Sequence, residues 1–248
     1  MSGIQFDHIA IAAERLADAP PYLMGALGGV PYFGMSADVF RFGQWEFEGG
    51  GRIEILEPRG GDGFLHRFLA ARGPGIHHVT FKVPSLSEAR ERAAGLGYRV
   101  VGENATVPRW KEAFLHPRDA LGIVVQIVES PDEPPRGHWR KPPPMPAGPP
   151  PPVRLLGLRL RAQSAERARR QWSALLGGAE STENGVHVFR WTESPLRIAV
   201  EIDRASDEGP TRIDVAPPSR PVTGLGGPAP GLGAVFAEAP YPHGGPRK

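Results

Sequence analysis

One strand-like stretch occurs twice in this 248-residue chain. The first copy spans residues 6–12 (FDHIAIA) and the second spans residues 77–83 (HHVTFKV). Each copy has a histidine near its start and continues with alternating, β-branched-rich residues, which is the pattern of a strand with one buried face. A duplicated strand with the same polar residue at the same point predicts two copies of one folding unit.

The same order of elements follows each copy. A short helical pattern ends in Leu-Gly, at residues 27–28 in the first unit and 96–97 in the second. Strand-like segments come next, and the last of them carries one polar side chain among apolar neighbours, Glu54 or Gln126. The sequence therefore predicts two β-α-β-β-β units over residues 1–130.

The strands between the helix and Glu54 are less regular. The alternation favours two short strands, over residues 39–42 and 44–48, followed by a glycine turn at residues 49–51 and a strand over residues 53–56. The second unit has comparable strands in the same order.

The rest of the chain divides at a proline-rich segment. Residues 131–152 contain runs of consecutive prolines, which favour an extended, stiff linker. Residues 153–248 repeat the order of elements, but Gly157 stands where the histidine was and Ala199 roughly where Glu54 was. We therefore predict a degenerate third unit and a remnant of a fourth. Three roles are open for it: covering the first domain, mediating dimerisation as a homodimer, or binding substrate without metal; the first two are favoured.

Composition excludes several kinds of site. The chain has no cysteine, so a metal must be held by His, carboxylate or amide groups. The net charge of +2 comes with no basic cluster that would indicate nucleic-acid binding. No export signal is evident at the start, and no apolar run approaches the roughly 20 residues of a membrane span. We therefore expect a cytoplasmic protein without a membrane or nucleic-acid partner.

Paired units that each open on a histidine resemble the vicinal oxygen chelate superfamily, which includes glyoxalases, extradiol dioxygenases and bleomycin-resistance proteins. Within it, residues 6–129 look most like methylmalonyl-CoA epimerase. The matching stretches, in order, are residues 7–12 (DHIAIA), 53–58 (IEILEP), 75–79 (GIHHV), 114–119 (FLHPRD) and 122–125 (GIVV). The resemblance implies an α+β fold in which paired β-α-β-β-β modules form a curled, cup-shaped mixed sheet.

The resemblance also implies a divalent metal ion inside the cup, Fe, Mn, Co, Ni or Zn. By position, the ligands would be four strand-borne side chains: His8, Glu54, His78 and Gln126. Alternation along the strand turns only one of His77 and His78 inward, and the repeat register favours His78. Open positions on the metal would receive a small substrate with two adjacent oxygens.

The sequence departs from the family at Gln126. The epimerases and glyoxalases that it resembles usually carry a glutamate there, which can also take a proton, whereas an amide cannot. Glu54 is then a candidate base as well as a ligand. The other candidate bases are Glu46 and Glu48, followed by Glu112 and His116.

Three functions compete. The leading hypothesis is a metal-dependent isomerase, epimerase or lyase that stabilises an enolate or enediolate of a small oxo-acid or acyl thioester. A ring-cleaving Fe(II) dioxygenase with the same ligands is the first alternative. The second is a non-catalytic protein that sequesters a small molecule, as drug-resistance proteins do. Its aromatic cup would be drawn from Phe40, Phe42, Trp45, Phe47 and Trp110.

Overall fold

The computed structural model describes residues 3–107, 109–130 and 139–240. Their strands form one sheet of eight strands and one of six. The first sheet contains β1 (Gln5–Ala12), β2 (Val30–Ser36), β3 (Phe40–Glu46), β4 (Arg52–Pro58), β5 (Gly75–Lys82), β6 (Val100–Val107), β7 (Trp110–Leu115) and β8 (Val124–Glu129). The second contains β9 (Leu155–Ala162), β10 (Ala179–Glu183), β11 (Val186–Arg190), β12 (Arg197–Ile202), β13 (Gly209–Val215) and β14 (Phe236–Glu238).

The described helices are short. A 3₁₀ turn (Leu16–Asp18) and a π-helical turn (Pro21–Ala26) follow β1. The α-helices are α1 (Phe64–Arg72), α2 (Leu86–Gly95) and α3 (Ala165–Arg169), and a π-helical turn (Arg170–Leu175) extends α3. None of the helices in the described ranges has the length and hydropathy that a bilayer-spanning helix requires.

Two four-stranded halves meet in the middle of the first sheet, whose order is β2-β3-β4-β1-β5-β8-β7-β6. The central pair, β1 and β5, is antiparallel, whereas β1 pairs in parallel with β4 and β5 in parallel with β8. The sheet curls into a half-barrel. The predicted α+β fold of paired β-α-β-β-β modules in a curled mixed sheet is therefore confirmed.

The first module differs from the prediction in one strand. The two strands predicted over residues 39–42 and 44–48 are a single strand, β3, and β2 has no counterpart in the prediction. Pro31 lies within β2, and a proline argues against a central strand because it lacks an amide donor. β2 is an edge strand, where a missing donor is tolerated.

The two faces of the first sheet carry different groups. The outer face carries the main apolar core, which includes Trp45 and Phe47. The inner face, which forms the cup, carries a smaller cluster in which α1 packs against Ala10, Ala12 and Leu56. Trp45 and Phe47 therefore do not line the cup, contrary to the aromatic set expected for sequestration. Alternation along β3 turns Trp45 to the other side, and Phe47, just after β3, packs in the same core.

The second sheet repeats the arrangement in reduced form, with the order β10-β11-β12-β9-β13-β14. β9 pairs in parallel with β12 and antiparallel with β13, as β1 does with β4 and β5. Ser164 caps α3 by accepting a hydrogen bond from the Arg167 amide at 3.2 Å. The degenerate third module is thus present, and the short pair β13 and β14 represents the fourth.

Aromatic side chains join the second sheet to the outer face of the first. The rings of Phe6 and Phe81 stack with centroids 4.8 Å apart, and the Trp191 ring lies 5.9 Å and 4.8 Å from them. Trp172 lies 5.9 Å from Phe81. The described part of the second sheet therefore packs behind the cup. It does not cover the cup, although covering the first domain is the first of the three roles expected for it.

The described part of the proline-rich segment also follows the outer face. The Trp139 ring fills the space above Gly34 and Gly43, where a side chain would otherwise project, and packs edge-on against Trp45 at 5.1 Å. Residues 140–152 contain no helix or strand. The first part of the predicted linker, residues 131–138, lies outside the described residues, and the domain boundaries at 130 and 152 stay predictions.

Candidate metal centre

Three buried ionisable side chains come together in the middle of the cup. His8 on β1, Glu54 on β4 and His78 on β5 are 2%, 7% and 5% exposed. His8 Nε2 lies 3.6 Å from Glu54 Oε2, and His78 Nε2 lies 3.9 Å from Glu54 Oε1. One ligand-capable atom of each residue lies within 4.8 Å of the other two. We call these three residues the candidate metal centre.

A β-bulge places a second carboxylate beside His8. Asp7 is the extra residue of β1 against β5, so its side chain is not forced to the face opposite His8. Asp7 Oδ2 lies 2.6 Å from His8 Nδ1. Asp7 Oδ1 accepts a hydrogen bond from Arg52 at 2.6 Å and lies 3.3 Å from Lys82 Nζ. Nδ1 of His8 is thus engaged, and Nε2 is turned to the centre, as is usual for a histidine ligand held by a carboxylate.

The second module has a bulge at the equivalent place, and the extra residue there is His77. Its Nδ1 lies 2.9 Å from Nδ1 of His78, and Phe68 of α1 packs against its ring at 4.8 Å. Both neighbouring histidines therefore project to the same side of the sheet. The alternation argument, which allows only one of them inward, is wrong at this position because it assumes a regular strand.

One nitrogen of the candidate metal centre has no partner. His78 Nε2 is buried and makes no hydrogen bond with the described residues. Buried polar atoms in native proteins nearly always have a protein, water or ion partner, so this one calls for an explanation. Two imidazoles and one carboxylate are a donor set that suits Fe, Mn, Co, Ni or Zn. The residues present therefore fit a divalent metal ion.

The surroundings set the charges of the two histidines. Burial alone would lower the pKa of His8, but the carboxylates of Glu54 and Asp7 outweigh it and raise the pKa to about 9. Burial, reinforced by the His77 and His8 rings, lowers the pKa of His78 well below its ordinary value. His78 is thus neutral, which is the form in which histidine binds a metal, whereas His8 would release its Nε2 proton when a metal binds.

The carboxylate behind His8 stays ionised. Burial by itself would raise the pKa of Asp7, but the hydrogen bond with His8 and the charges of Arg52 and Lys82 hold that pKa well below its ordinary range. Asp7 is therefore an anion that fixes the His8 ring.

The fourth predicted ligand, Gln126, is engaged with other groups. Its Oε1 accepts a hydrogen bond from Thr80 Oγ1 at 2.6 Å, and its Nε2 donates to Glu112 Oε2 at 2.6 Å. Thr80 Oγ1 also lies 3.0 Å from His8 Nε2. The structure thus brings three of the four predicted ligands together and connects Gln126 to them through Thr80.

The other predicted bases lie at different places. Glu46 ends β3, half-buried, on the same face as Gln44 of that strand. Glu48 lies beyond β3, where its carboxylate is 2.7 Å from Arg154 Nη2 and 54% of its side chain is exposed. His116 follows the end of β7. The structure therefore does not bring Glu48 to the candidate metal centre.

Sequence reasoning missed the groups that hold the predicted ligands in place. Asp7 fixes His8, and Gln44 donates from Nε2 to Glu54 Oε2 at 2.8 Å. Thr80 links His8 to Gln126. A signal was present for the first of these, since each repeated strand opens with two consecutive polar residues, Asp7-His8 or His77-His78.

One family model matches the first part of the chain. Residues 7–114 match the model of the Glyoxalase/Bleomycin resistance protein/Dioxygenase superfamily. These residues make up most of the first sheet, which therefore resembles a domain of this superfamily, the vicinal oxygen chelate group that the repeated histidine strands also resemble.

Known proteins that are similar to this chain include two curated proteins and a solved structure. The uncharacterized protein YqjC of Bacillus subtilis is 27% identical over 132 residues, which are 50% of this chain and 91% of that protein. An ethylmalonyl-CoA/methylmalonyl-CoA epimerase of Cereibacter sphaeroides is 34% identical over 82 residues, which are 32% of this chain and 61% of the epimerase. A mutant 4-hydroxymandelate synthase of Streptomyces coelicolor matches 88% of this chain and 72% of its own with a TM-score of 0.61. At 13% identity, this last likeness shows the fold alone.

Proposed function

We propose that His8, Glu54 and His78 hold a divalent metal ion and that the protein is a metal-dependent enzyme of the vicinal oxygen chelate type. The observation that carries this proposal is the buried, unpartnered Nε2 of His78, which faces the buried Glu54 carboxylate at 3.9 Å. Three protein ligands leave coordination positions for two adjacent oxygens of a small substrate.

The reaction class follows from the charge of the centre. A divalent ion with one anionic ligand keeps a net positive charge and, when bound, supplies a Lewis acid that favours the oxyanion of an enolate. Asp7 orients His8 through Nδ1, and Gln44 orients Glu54 through its hydrogen bond. The reaction is an isomerisation, epimerisation or lyase reaction of a small oxo-acid or acyl thioester, and the similarity to an acyl-CoA epimerase supports the thioester.

Ring-cleaving oxygenation is the second candidate. Two histidines and one carboxylate are also the ligand set of non-haem Fe(II) oxygenases, and the candidate metal centre has this set. Oxygen consumption by the Fe(II)-loaded protein with a catechol would favour it over isomerisation.

Metal analysis of protein purified without chelators tests the proposal. We expect one equivalent of metal in the wild type and none in His78→Ala. The matched control is His187→Ala, because His187 pairs with Glu180 at 2.7 Å in the second sheet, away from the cup. Added Mn or Zn should raise the melting temperature of the wild type and of the control but not of His78→Ala. A wild type without metal, or equal loss in the control, would refute the proposal.

A further inference from the structure

Two hydrogen bonds lead from Thr80, beside the candidate metal centre, to another carboxylate. His8 Nε2 lies 3.0 Å from Thr80 Oγ1, which donates to Gln126 Oε1 at 2.6 Å. Gln126 Nε2 then donates to Glu112 Oε2 at 2.6 Å. Gln126, which the sequence suggests as a ligand, is in this structure the link between the centre and Glu112.

Glu112 projects from β7 into the cup. Phe114 lies directly opposite Gln126 in the antiparallel pair of β7 and β8, so the two share a face. Glu112, two residues before Phe114, lies on that face as well. Trp110 Nε1 donates to Glu112 Oε2 at 3.0 Å, the same oxygen that Gln126 uses. Two donors therefore fix the carboxylate, and its residue is only half-buried.

The two halves of the cup contain the same pair of groups in exchanged order. In the first half the carboxylate of Glu54 lies on the inner strand β4, and its amide partner Gln44 lies on the next strand outward. In the second half the amide of Gln126 lies on the inner strand β8, and the carboxylate of Glu112 lies on the next strand outward. The second half thus also contains a carboxylate, which lies one strand further from the middle of the sheet.

Of the three carboxylates Glu48, Glu54 and Glu112, Glu112 best meets the needs of proton transfer. Glu48 is paired with Arg154 outside the cup, and Glu54 faces both histidines as a ligand. Glu112 is held by hydrogen bonds to neutral donors, is not engaged with a described cation, and lies on the face that a substrate would enter.

We propose that Glu112 is the proton acceptor of this enzyme and that Gln126 is a positioning residue that orients it. This assignment rests on the proposed function. The C–H bond next to the substrate carbonyl breaks, and its proton passes to the Glu112 carboxylate. The electron pair of that bond forms the C=C bond of an enolate while the carbonyl π pair moves to the oxygen. Return of the proton to carbon regenerates the carboxylate, so no oxidant or reductant is needed.

The test uses Glu112→Gln in the full chain, loaded with Mn, beside Glu103→Gln. Glu103 on β6 is the matched control because its carboxylate is exposed and bonds Arg90 at 2.8 Å. Three quantities are measured: bound metal, exchange of the methylmalonyl-CoA α-proton in D₂O, and the affinity for oxalate. Oxalate is a dianion with two adjacent oxygens, so its binding reports the charge near the open metal positions without turnover.

We expect Glu112→Gln to keep one equivalent of metal and to slow proton exchange by at least about 100-fold, because a neutral amide cannot accept the proton. Its oxalate affinity should rise about 5- to 10-fold, because a like charge beside the dianion is removed. Glu103→Gln should change none of the three quantities. Gln126→Ala should keep metal and oxalate affinity near wild type but slow the exchange, because the charge of Glu112 stays while its orientation is lost.

Unchanged oxalate affinity in Glu112→Gln would overturn the assignment even if methylmalonyl-CoA is not a substrate. Loss of metal in Glu112→Gln would also overturn it, because the residue would then support the metal itself. A wild type that binds no metal is a distinct result that defeats the proposed function.

Discussion

The two sheets share one framework but differ at its centre. β9 pairs with β12 and β13 in the register of β1 with β4 and β5, and both bulges recur. Leu156 is the extra residue where the first sheet has Asp7, and Thr211 is the extra residue where it has His77. The residues at the positions of the four predicted ligands are Gly157, Ala199, Arg212 and Ala237.

At the position equivalent to Thr80, the second sheet has Asp214, the most deeply buried carboxylate among its described residues. Asp214 is 1% exposed and collects three arginines. Arg159 Nη2 and Arg212 Nε each lie 2.9 Å from its oxygens, and Arg197 Nη2 lies 3.8 Å away. A buried carboxylate needs a cation close by. In the second sheet, arginine side chains are that cation. In the first sheet, the buried carboxylate of Glu54 faces two histidines, which suit a metal ion that can be exchanged.

The largest effect should come from removing the carboxylate on which the second sheet depends. Asp214→Ala leaves the buried guanidinium groups of Arg159 and Arg197 with only the more exposed carboxylates of Glu201 and Glu183, and should lower the free energy of unfolding by about 3–5 kcal/mol. Urea unfolding followed by tryptophan fluorescence measures this. The control Glu201→Ala removes a half-exposed partner of Arg159 and should cost less than about 1 kcal/mol. Similar losses in both variants would show that burial does not decide the difference.

A second variant tests whether the second sheet tolerates a side chain at Gly157, the position equivalent to His8. Gly157 has a φ of 138°, and a Cβ there would lie 1.9 Å from the backbone oxygen of Arg197. Gly157→Ala should therefore cost about 2–4 kcal/mol, from backbone strain and overpacking together. Gly185→Ala, with a φ of 79° and open space around it, should cost only about 1 kcal/mol. Thermal unfolding of the two variants side by side measures the difference in stability between them. Equal stability would mean that β9 and β12 readily separate at Gly157.

The smallest expected effect concerns the bulge of the first sheet. Asp7→Asn keeps the shape of the side chain but removes the charge that orients His8, and should weaken metal binding about 10- to 100-fold. Competition with a chelator gives the affinity. Leu156→Val changes the equivalent residue of the second sheet and should leave the affinity unaltered. An equal loss in both variants would point to a general loosening of the fold.

Much of the fold was predictable because it is duplicated. His8 and His78 open matching strands, and Glu54 interrupts an apolar run where an unpaired carboxylate would be costly. These signals depend only on spacing and polarity, which a sequence displays directly. They predicted the paired modules and the three residues that the structure brings together.

The remaining features depend on information that alternation does not contain. β2 was not predicted because it contains Pro31. Whether a strand tolerates a proline depends on whether it lies at the edge of a sheet, which the sequence does not show. The bulges at Asp7 and His77 shift the alternation by one residue, and two consecutive polar residues are the signal for this at each place. β9, in the middle of the second sheet, is buried on both faces, and such a strand does not indicate which of its sides meets the first sheet.

The bulges have a further consequence for the additional residue that each of them contains. In a regular strand a residue faces either one side of the sheet or the other, whereas the additional residue of a bulge is not held to this alternation. Phe6 faces the main apolar core and His8 faces the cup on either side of Asp7, because the bulge accommodates the additional residue. The four bulges of the central strand pairs contain an acid, an imidazole, an aliphatic group and a hydroxyl: Asp7, His77, Leu156 and Thr211. A single substitution at such a site can retune the neighbouring chemistry while every hydrogen-bonded ladder remains in place.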